Sequence, residues 1–321
     1  MIEAIVGDIG GTNARFAYAS FENGRVNLAK IKALRCADFP NLAQALQHYA
    51  HGLGQDLPQA AAFAVAGPVR GQAIRFTNTG WGFSARDIAE GFGFARVRLI
   101  NDFTANAMAL PVLAGEELAP MGGPDAPAPG AQPVRAICGP GTGFGVSALV
   151  GDYAVQGEGG HTAFAPGDEI EDHLLAYLRP LYGRVSVERL LSGPGLADMD
   201  AFFAQEAGSA RKLSPEEVTR RALDGTDGIA LLALERFCAV LGAVSGDLAL
   251  LYGAESGVFI AGGIAPNMLD FLRASRFRAR FEDKGRLSYF VTPIPSYCVL
   301  RSDLAMVGCA AALMAHEGEM A

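Results

Sequence analysis

The sequence has neither an excess of positive charge nor a cysteine framework. Its 26 Lys and Arg residues are outnumbered by 34 Asp and Glu residues, which gives a formal net charge of −8. The basic cluster at residues 273–286 is interrupted by Glu282 and Asp283, so we expect no nucleic-acid partner. The five cysteines are scattered and include no Cys-x-x-Cys pair. This spacing indicates small core residues and neither disulfides nor a zinc knuckle.

The chain also lacks long uninterrupted apolar runs. A run such as residues 258–261 is far shorter than the roughly 20 residues that cross a membrane as a helix. Glu3 stands where a signal peptide would carry positive charge. These absences predict a cytoplasmic protein with no membrane partner. With 321 residues, 50% of them hydrophobic, the chain is long enough to form two lobes.

What the chain does have, at its start, is a glycine turn between two strand-like segments. Gly10 and Gly11 form the bend, and Asp8, Thr12 and Asn13 flank it. Glycines let a bulky anion approach the exposed backbone N–H groups of such a turn, and a plain hairpin needs no acid, hydroxyl and amide at its tip. A P-loop or a dinucleotide fingerprint would open a helix after its glycines, whereas a strand follows here. The pattern therefore predicts a strand–turn–strand phosphate site.

The same pattern returns near the middle of the chain, where residues 139–145 form a second glycine turn between strand-like segments. Two such hairpins suggest an internally duplicated fold in which each half offers one phosphate turn. Elsewhere strands alternate with helices, which indicates an α/β protein with a partly parallel sheet. Gly262 and Gly263 follow another buried strand. They leave room for a flat ligand such as a nucleoside, although a plain tight turn would need them equally.

Several local patterns predict secondary structure from composition alone. Residues 119–133 are rich in proline, glycine and alanine, which predicts a surface loop. A short helix is expected to begin after Ser186 and to stop at residues 192–195. Strands are expected at residues 73–76 and again at residues 289–292.

Taken together, the motifs resemble those of the bacterial glucokinase family, within the sugar kinase, Hsp70 and actin fold class. The resemblance covers nearly the whole chain in the family's order and rests on six segments: GDIGGTNARFA at 7–17, INDFTANA at 100–107, GPGTGFG at 139–145, GEGGH at 157–161, VERLLSGPG at 187–195 and AGGIAPN at 261–267. It implies an α/β protein with the two-lobed, ribonuclease H-like fold of the actin-like ATPases. The small α/β lobe would comprise residues 1–111 plus 302–321, and the larger α+β lobe residues 112–301, with a cleft between them.

The resemblance also implies which residues handle the sugar. Asp102 is the expected general base, which takes the hydroxyl proton as the sugar attacks phosphate; by position alone a helix-capping role would be the better interpretation. Glucose contacts are expected at Asn101, Asp102, Glu158, His161 and Glu188. Outside the family pattern, His161 would be read as a structural histidine and Glu188 as a solvated helix acid.

ATP and Mg²⁺ are the cofactors that the resemblance implies. The nucleotide is expected at Gly10, Gly11, Thr12 and Asn13 for one phosphate site, at Gly141, Thr142 and Gly143 for the other, and at Gly262 and Gly263 beside the adenosine. Asp8 is expected to hold Mg²⁺ through its water shell. The family also implies a homodimer.

The expected reaction is ATP-dependent phosphorylation of glucose to glucose 6-phosphate. A kinase for fructose or mannose would keep the same fold and mechanism, so this alternative stays open at the sequence level. A non-catalytic sugar sensor is disfavoured because Asp8, Asp102 and both glycine turns are intact. An Hsp70-like ATPase would lack the GEGGH segment, and polyphosphate as an alternative phosphoryl donor stays open.

Overall fold

The computed structural model describes residues 2–69, 71–75 and 80–315, and the chain forms two compact units. Unit 1 comprises Met1–Gly115, Asp152–Gln156 and Asp303–Ala321, and unit 2 comprises Glu116–Gly151 and Gly157–Ser302. Phe76, the last residue of the strand expected at 73–76, lies outside the described residues.

The strands differ in burial: Ala60–Val65 is buried throughout, whereas most residues of Arg25–Arg35 are exposed. In chain order they are β1 (Ile2–Ile9), β2 (Asn13–Glu22), β3 (Arg25–Arg35), β4 (Ala60–Val65), β5 (Ala73–Arg75), β6 (Gly82–Ser84), β7 (Arg96–Asn101), β8 (Leu118–Gly122), β9 (Val134–Pro140), β10 (Phe144–Val150), β11 (Tyr153–Val155), β12 (Val258–Ile260) and β13 (Ser296–Val299).

Most of the longer helices begin at a side-chain cap. Ser84 and Asp87, for example, form a reciprocal capping box at the start of α2. The helices are α1 (Leu42–His51), α2 (Ala85–Phe92), α3 (Asp102–Ala109), α4 (Glu169–Tyr182), α5 (Gly193–Glu206), α6 (Pro215–Leu223), α7 (Gly228–Tyr252), α8 (Leu269–Ala274), α9 (Phe277–Glu282), α10 (Ser288–Val291) and α11 (Leu304–Ala315).

Each unit is organised around one sheet. In unit 1 the strand order is β3-β2-β1-β4-β7, with β1 antiparallel to β2 and parallel to β4. In unit 2, neighbouring strands run in the order β10-β9-β12-β13-β8, with β9 antiparallel to β10 and parallel to β12. A hairpin followed by parallel strands thus occurs in both units, which agrees with the duplication that the two glycine turns predict. The turns occupy equivalent places, between β1 and β2 and between β9 and β10.

The core of unit 2 is built around helix α7. Its 25 residues are apolar enough, by length and composition alone, to cross a membrane, although 67% of its most apolar 18-residue stretch is buried inside the protein. Charged residues interrupt its apolar stretches, so the helix contains no long uninterrupted apolar run. Phe237, Cys238 and Leu241 of α7 are fully buried in the main hydrophobic cluster of the unit, as expected for a central helix of a folded domain.

The five cysteines lie in the cores, as their spacing predicts. All are free and buried. Burial raises the pKa of the thiols of Cys138 and Cys238 to about 12, so these side chains stay protonated and behave as small apolar groups at neutral pH.

Three local predictions were wrong. Only residues 119–122 of the loop expected at 119–133 differ: they belong to β8, an edge strand paired with β13, because an edge position tolerates the proline that a central strand would not. Residues 123–133 form neither helix nor strand. Residues 288–291 form the short helix α10, since the three-residue apolar run at 289–291 does not distinguish strand from helix. Ser192 begins a helix: its Oγ accepts from the backbone N of Gly195, and Pro194 fits the first turn of α5.

Helices α3 and α11 cross closely in unit 1. A side chain at Gly308 of α11 would overlap the carbonyl oxygen of Ala105 in α3. We expect Gly308→Ala to lower the free energy of unfolding by about 1–3 kcal/mol, because the helices must separate to admit the methyl group. Denaturant unfolding checks this value.

Gly91 provides the matched control for this prediction. It lies in helix α2, and a Cβ there would meet nothing within 4 Å. Gly91→Ala is therefore expected to stabilise by about 0.5–1 kcal/mol through helix propensity and reduced chain entropy. Equal effects of the two substitutions would contradict the close crossing.

Candidate active site

The first glycine turn is closed by short backbone bonds in unit 1. The backbone N of Gly10 donates to the carbonyl of Asn13 at 3.0 Å, and the N of Cys36 donates to the carbonyl of Thr12 at 2.8 Å. The thiol of Cys36 reaches the carbonyl of Gly10 at 3.4 Å. The side chains of Thr12 and Asn13 are exposed at the tip. The backbone of the turn is therefore held by hydrogen bonds, and the side chains at its tip are exposed to solvent.

Asp8 forms an ion pair with Arg15, which lies directly opposite it on β2. The Nε of Arg15 donates to Oδ2 of Asp8 at 3.2 Å, and Nη2 contacts the same oxygen. The carboxylate is partly buried, with a side-chain exposure of 21%. This cross-strand pair fixes Asp8 beside the glycine turn.

Asn101 and Asp102 lie where strand β7 becomes helix α3. Oδ1 of Asn101 caps α3 by accepting from the backbone N of Phe103 and of Thr104, each at 3.0 Å. Its Nδ2 donates to the carbonyl of Gly67 at 3.3 Å and to Oδ1 of Asp102 at 3.0 Å. The cap is thus Asn101, and Asp102 is the first helical residue.

These bonds define what each of the two side chains can do. Asn101 is 6% exposed, and both of its amide hydrogens have acceptors. Oδ1 of Asp102 accepts from Asn101 and from the backbone N of Phe103 at 2.9 Å. The carboxylate of Asp102 is therefore oriented by two N–H donors at the end of a rigid strand, an arrangement suited to a general base.

The second glycine turn is anchored in unit 2 to the start of helix α5. The N of Gly141 donates to the carbonyl of Gly143, and the N of Gly193 donates to the carbonyl of Gly141, both at 2.8 Å. Gly193 is the first residue of α5, a 14-residue helix. The turn thus lies against the N-terminal, electropositive end of a helix, which favours phosphate groups.

A cavity of 480 Å³ opens beside this turn within unit 2. Its lining combines parts of the second turn, of the starts of α5 and α6, and of the segment after β12: Gly141, Thr142, Gly193, Pro194, Leu196, Pro215, Glu216, Thr219, Arg220, Gly263, Ile264 and Asn267. A volume of this size suits a nucleoside. Of the expected nucleotide residues, the cavity brings Gly141, Thr142 and Gly263 together.

The α6 residues of this lining were missed by sequence reasoning. Ser214 caps α6 and Pro215 follows it, and this pattern predicts the helix without indicating that Glu216 and Thr219 border a cavity. In the folded chain the N-terminal turn of α6 lies next to the glycine segments. This proximity identifies its residues as part of the lining, and it is not recorded in the local sequence.

Glu158, His161 and Glu188 lie in neighbouring segments of unit 2. Nδ1 of His161 is 4.0 Å from Oε1 of Glu188, and Oε2 of Glu188 accepts from the backbone N of Phe144 at 2.9 Å. Glu158 is exposed and precedes the 3-10 turn Gly159–His161. The three side chains supply the acceptors and the donor that a polyol needs for its hydroxyl groups.

The Glucokinase family model matches residues 5–316 of the chain. The chain is 46% identical over 319 residues to the glucokinase of Chromohalobacter salexigens, covering 98% of each sequence. It is 43% identical over 314 residues to the glucokinase of Caulobacter sp. (strain K31), covering 96% of this chain and 94% of the relative.

Two solved structures carry the same fold. A glucokinase from an Antarctic psychrotroph superimposes with a TM-score of 0.89 at 35% identity, covering 98% of this chain and 99% of the other. A ROK family glucokinase from Streptomyces griseus, in complex with glucose and AMPPNP, gives a TM-score of 0.65 at 20% identity, covering 98% and 100%.

The fold is that of the sugar kinases, which confirms the expected actin-like ATPase fold. The chain belongs to the glucokinase family, a family of enzymes.

Proposed function

We propose that this member of the glucokinase family transfers the γ-phosphoryl group of ATP to the 6-hydroxyl of D-glucose, which yields glucose 6-phosphate and ADP. The observation that carries the proposal is the 43% and 46% identity, over nearly full length, to proteins that bear the name glucokinase. The oriented carboxylate of Asp102 supports it chemically.

Asp102 acts as the general base in this proposal. As the 6-oxygen of glucose forms its bond to the γ-phosphorus, the bond from that phosphorus to the β–γ bridging oxygen breaks and ADP leaves. The hydroxyl proton passes to the carboxylate of Asp102. Because a loose phosphoryl-transfer transition state demands positioning above all, the two N–H donors that orient Asp102 are part of its function.

Glu158, His161 and Glu188 bind the glucose hydroxyls in this proposal. Carboxylates accept hydrogen bonds from adjacent hydroxyls, and His161 can donate or accept. The contacts that occupy the Asn101 amide support a positioning role for this residue toward Asp102, and its direct contact with glucose stays a prediction.

ATP binds with its phosphates on the two glycine turns and its nucleoside in the 480 Å³ cavity. Gly10, Gly11, Thr12 and Asn13 serve one phosphate site, and Gly141, Thr142 and Gly143 serve the other. Gly262 and Gly263 flank the adenosine. The exposed tip of the first turn and the α5 N-terminus behind the second support these assignments.

The residues beside the first glycine turn fit a Mg²⁺ ion that is held through water. No group of three or more His, Cys, Asp or Glu side chains suited to a metal ion exists in the part of the chain that the structure describes. Mg²⁺ commonly takes one or two carboxylates and completes its shell with water and phosphate oxygens. Asp8, held by Arg15 beside the turn, fits that role through water, and the ion would balance phosphate charge.

Asn101→Ala tests the positioning role. Loss of the Nδ2 donor frees the Asp102 carboxylate to rotate, so we expect kcat to fall by about 10²-fold while the Kd for glucose changes little. A residue that mainly contacts the sugar would instead raise the Kd and KM for glucose. Steady-state kinetics and glucose titration separate the two outcomes.

Thr104→Val is the matched control for this substitution. It removes only the 3.3 Å bond from the Thr104 hydroxyl to Oδ1 of Asn101 and leaves Nδ2 on Asp102. We expect kcat within about 3-fold of the wild type, which corresponds to the loss of one weak hydrogen bond.

A panel of hexoses and phosphoryl donors with ADP or phosphate detection tests the substrate assignment. We expect the highest kcat/KM with glucose and ATP. A higher kcat/KM with fructose or mannose would show that another hexose is the substrate. Equal use of polyphosphate would contradict ATP as the phosphoryl donor. The homodimer, the cytoplasmic location and the lack of nucleic-acid or membrane partners stay predictions.

A further inference from the structure

Three segments of unit 2 pack tightly together beside the second glycine turn. A Cβ at Gly160 would overlap the carbonyl oxygen of Phe144, and a Cβ at Gly159 would lie 2.8 Å from Cβ of Val146. The segment that carries Glu158 and His161 therefore lies directly on the first residues of β10. Neither glycine has room for a side chain.

The third segment, the 3-10 turn Val187–Arg189, is bonded to the same region. The backbone N of Val187 donates to the carbonyl of Thr162 at 3.0 Å, and the N of Phe164 donates to the carbonyl of Val185 at 3.1 Å. These bonds fix the backbone of Glu188 next to residues 157–161, the segment that carries Glu158 and His161 and is called the sugar segment below.

The side chain of Glu188 spans the space between this segment and the glycine turn. Its Oε2 accepts from the backbone N of Phe144 at 2.9 Å, and it occupies the space that a side chain at Gly143 would need. Its Oε1 lies 4.0 Å from Nδ1 of His161, with the side chain 29% exposed. One carboxylate thus holds the phosphate turn with one oxygen and presents the other toward the expected sugar contacts.

We propose that Glu188 couples sugar binding to nucleotide binding, because the same carboxylate orders the second phosphate turn and receives a glucose hydroxyl. This inference rests on the proposed function and adds a positioning role to Glu188. A hydroxyl that donates to Oε1 fixes the side-chain rotamer, and the bond from Phe144 to Oε2 is then held as well. A nucleotide binds a turn that is already ordered, so less conformational entropy is lost.

The coupling must act in both directions, since the effect of glucose on nucleotide affinity equals the effect of nucleotide on glucose affinity. We expect the Kd of a non-hydrolysable ATP analogue, measured by isothermal titration calorimetry, to be at least about 5-fold lower at saturating glucose in the wild type. In Glu188→Gln the amide has one oxygen, so it cannot accept from both the backbone N of Phe144 and a glucose hydroxyl. The ratio of the Kd of the analogue without glucose to its Kd at saturating glucose should therefore fall to about 1, which corresponds to no coupling.

Glu158→Gln is the matched control, because Glu158 lies in the sugar segment but no hydrogen bond joins its side chain to the turn in the described part of the chain. It should weaken glucose binding yet keep the wild-type ratio once glucose is saturating. Glu188→Asp, too short to reach both partners, should behave like Glu188→Gln if the latter folds poorly.

A wild-type ratio of about 1, or an unchanged ratio in folded Glu188→Gln, would overturn the coupling. Glucose-dependent ADP release by the wild type is measured in parallel. Its absence would refute the proposed function, whereas normal ADP release together with an unchanged ratio would refute the coupling alone.

Discussion

Asp102→Ala is expected to lower the turnover of glucose by about 10²- to 10⁴-fold, the range that a positioned general base contributes. The Kd for glucose should stay measurable, because the other expected contacts belong to residues that the substitution leaves in place. A coupled assay of ADP release measures the turnover, and titration with glucose measures the Kd. Turnover close to that of the wild type would refute the assignment of Asp102 as base.

Asp87→Ala separates catalysis from helix capping in this experiment. Asp87 also lies in the first turn of a helix, where its carboxylate accepts from the backbone N of Ser84 at 3.1 Å. Its loss should cost about 1 kcal/mol of stability and leave kcat unchanged. If Asp102 were only a residue that stabilises the start of α3, the two substitutions would have similar effects on both quantities.

Glu171→Gln is expected to have the largest effect on stability, about 3–5 kcal/mol. Glu171 is fully buried in unit 2 and accepts from Arg236 at 2.8 Å and from Arg280 at 2.9 Å. The backbone N of Gly167 also donates to it at 2.7 Å. Removing this charge leaves the two buried guanidinium groups with Asp168 as their remaining shared carboxylate, 2.6 Å from Arg236 and 3.5 Å from Arg280. The side chain of Asp168 is 30% exposed, so it offsets the lost charge only in part, and the loss is still more costly than that of a surface pair. Denaturant unfolding provides the free energy.

Glu90→Gln is the matched control for Glu171→Gln, because it removes the charge of a glutamate in an exposed ion pair. Glu90 pairs with Arg86 at 2.7 Å on the exposed face of α2, with side-chain exposures of 65% and 84%. Its loss should cost less than about 0.5 kcal/mol. Comparable losses at the two sites would mean that water or rearrangement satisfies Arg236 and Arg280 when the charge of Glu171 is removed.

The elements that sequence reasoning located well are those with strong local signals. The hairpin around Gly10, the hairpin around residues 139–145 and the buried strand before Gly262 each depend on turn residues and on short apolar stretches beside them. Such local preferences survive folding because the tertiary structure agrees with them. The ordered motifs then identified the family, and with it the fold.

What the sequence did not reveal depends on contacts between distant segments. Ser192 reads as the end of one helix, and only its bond to Gly195 shows that it begins another. Residues 118–122 become a strand because β13 offers an edge with which they pair. Such outcomes are decided by tertiary partners that no local propensity records.

In the candidate site, too, some features follow from local motifs and others depend on contacts between distant segments. Asp102 could be chosen from its motif, but the two donors that orient it come from the folded junction of β7 and α3. Glu188 could be chosen as a sugar contact, whereas its bond to Phe144 joins residues that are 44 positions apart. The residue types were thus predictable, and the roles that depend on shared contacts were not.

Identification of the products formed by the wild-type protein from ATP and glucose tests the central claim most directly. Phosphorus NMR of the reaction, with ADP measured in parallel, should show glucose 6-phosphate and ADP formed in equal amounts and only when glucose is present. ADP formation that is independent of glucose, or a phosphorylated product other than glucose 6-phosphate, would contradict the account.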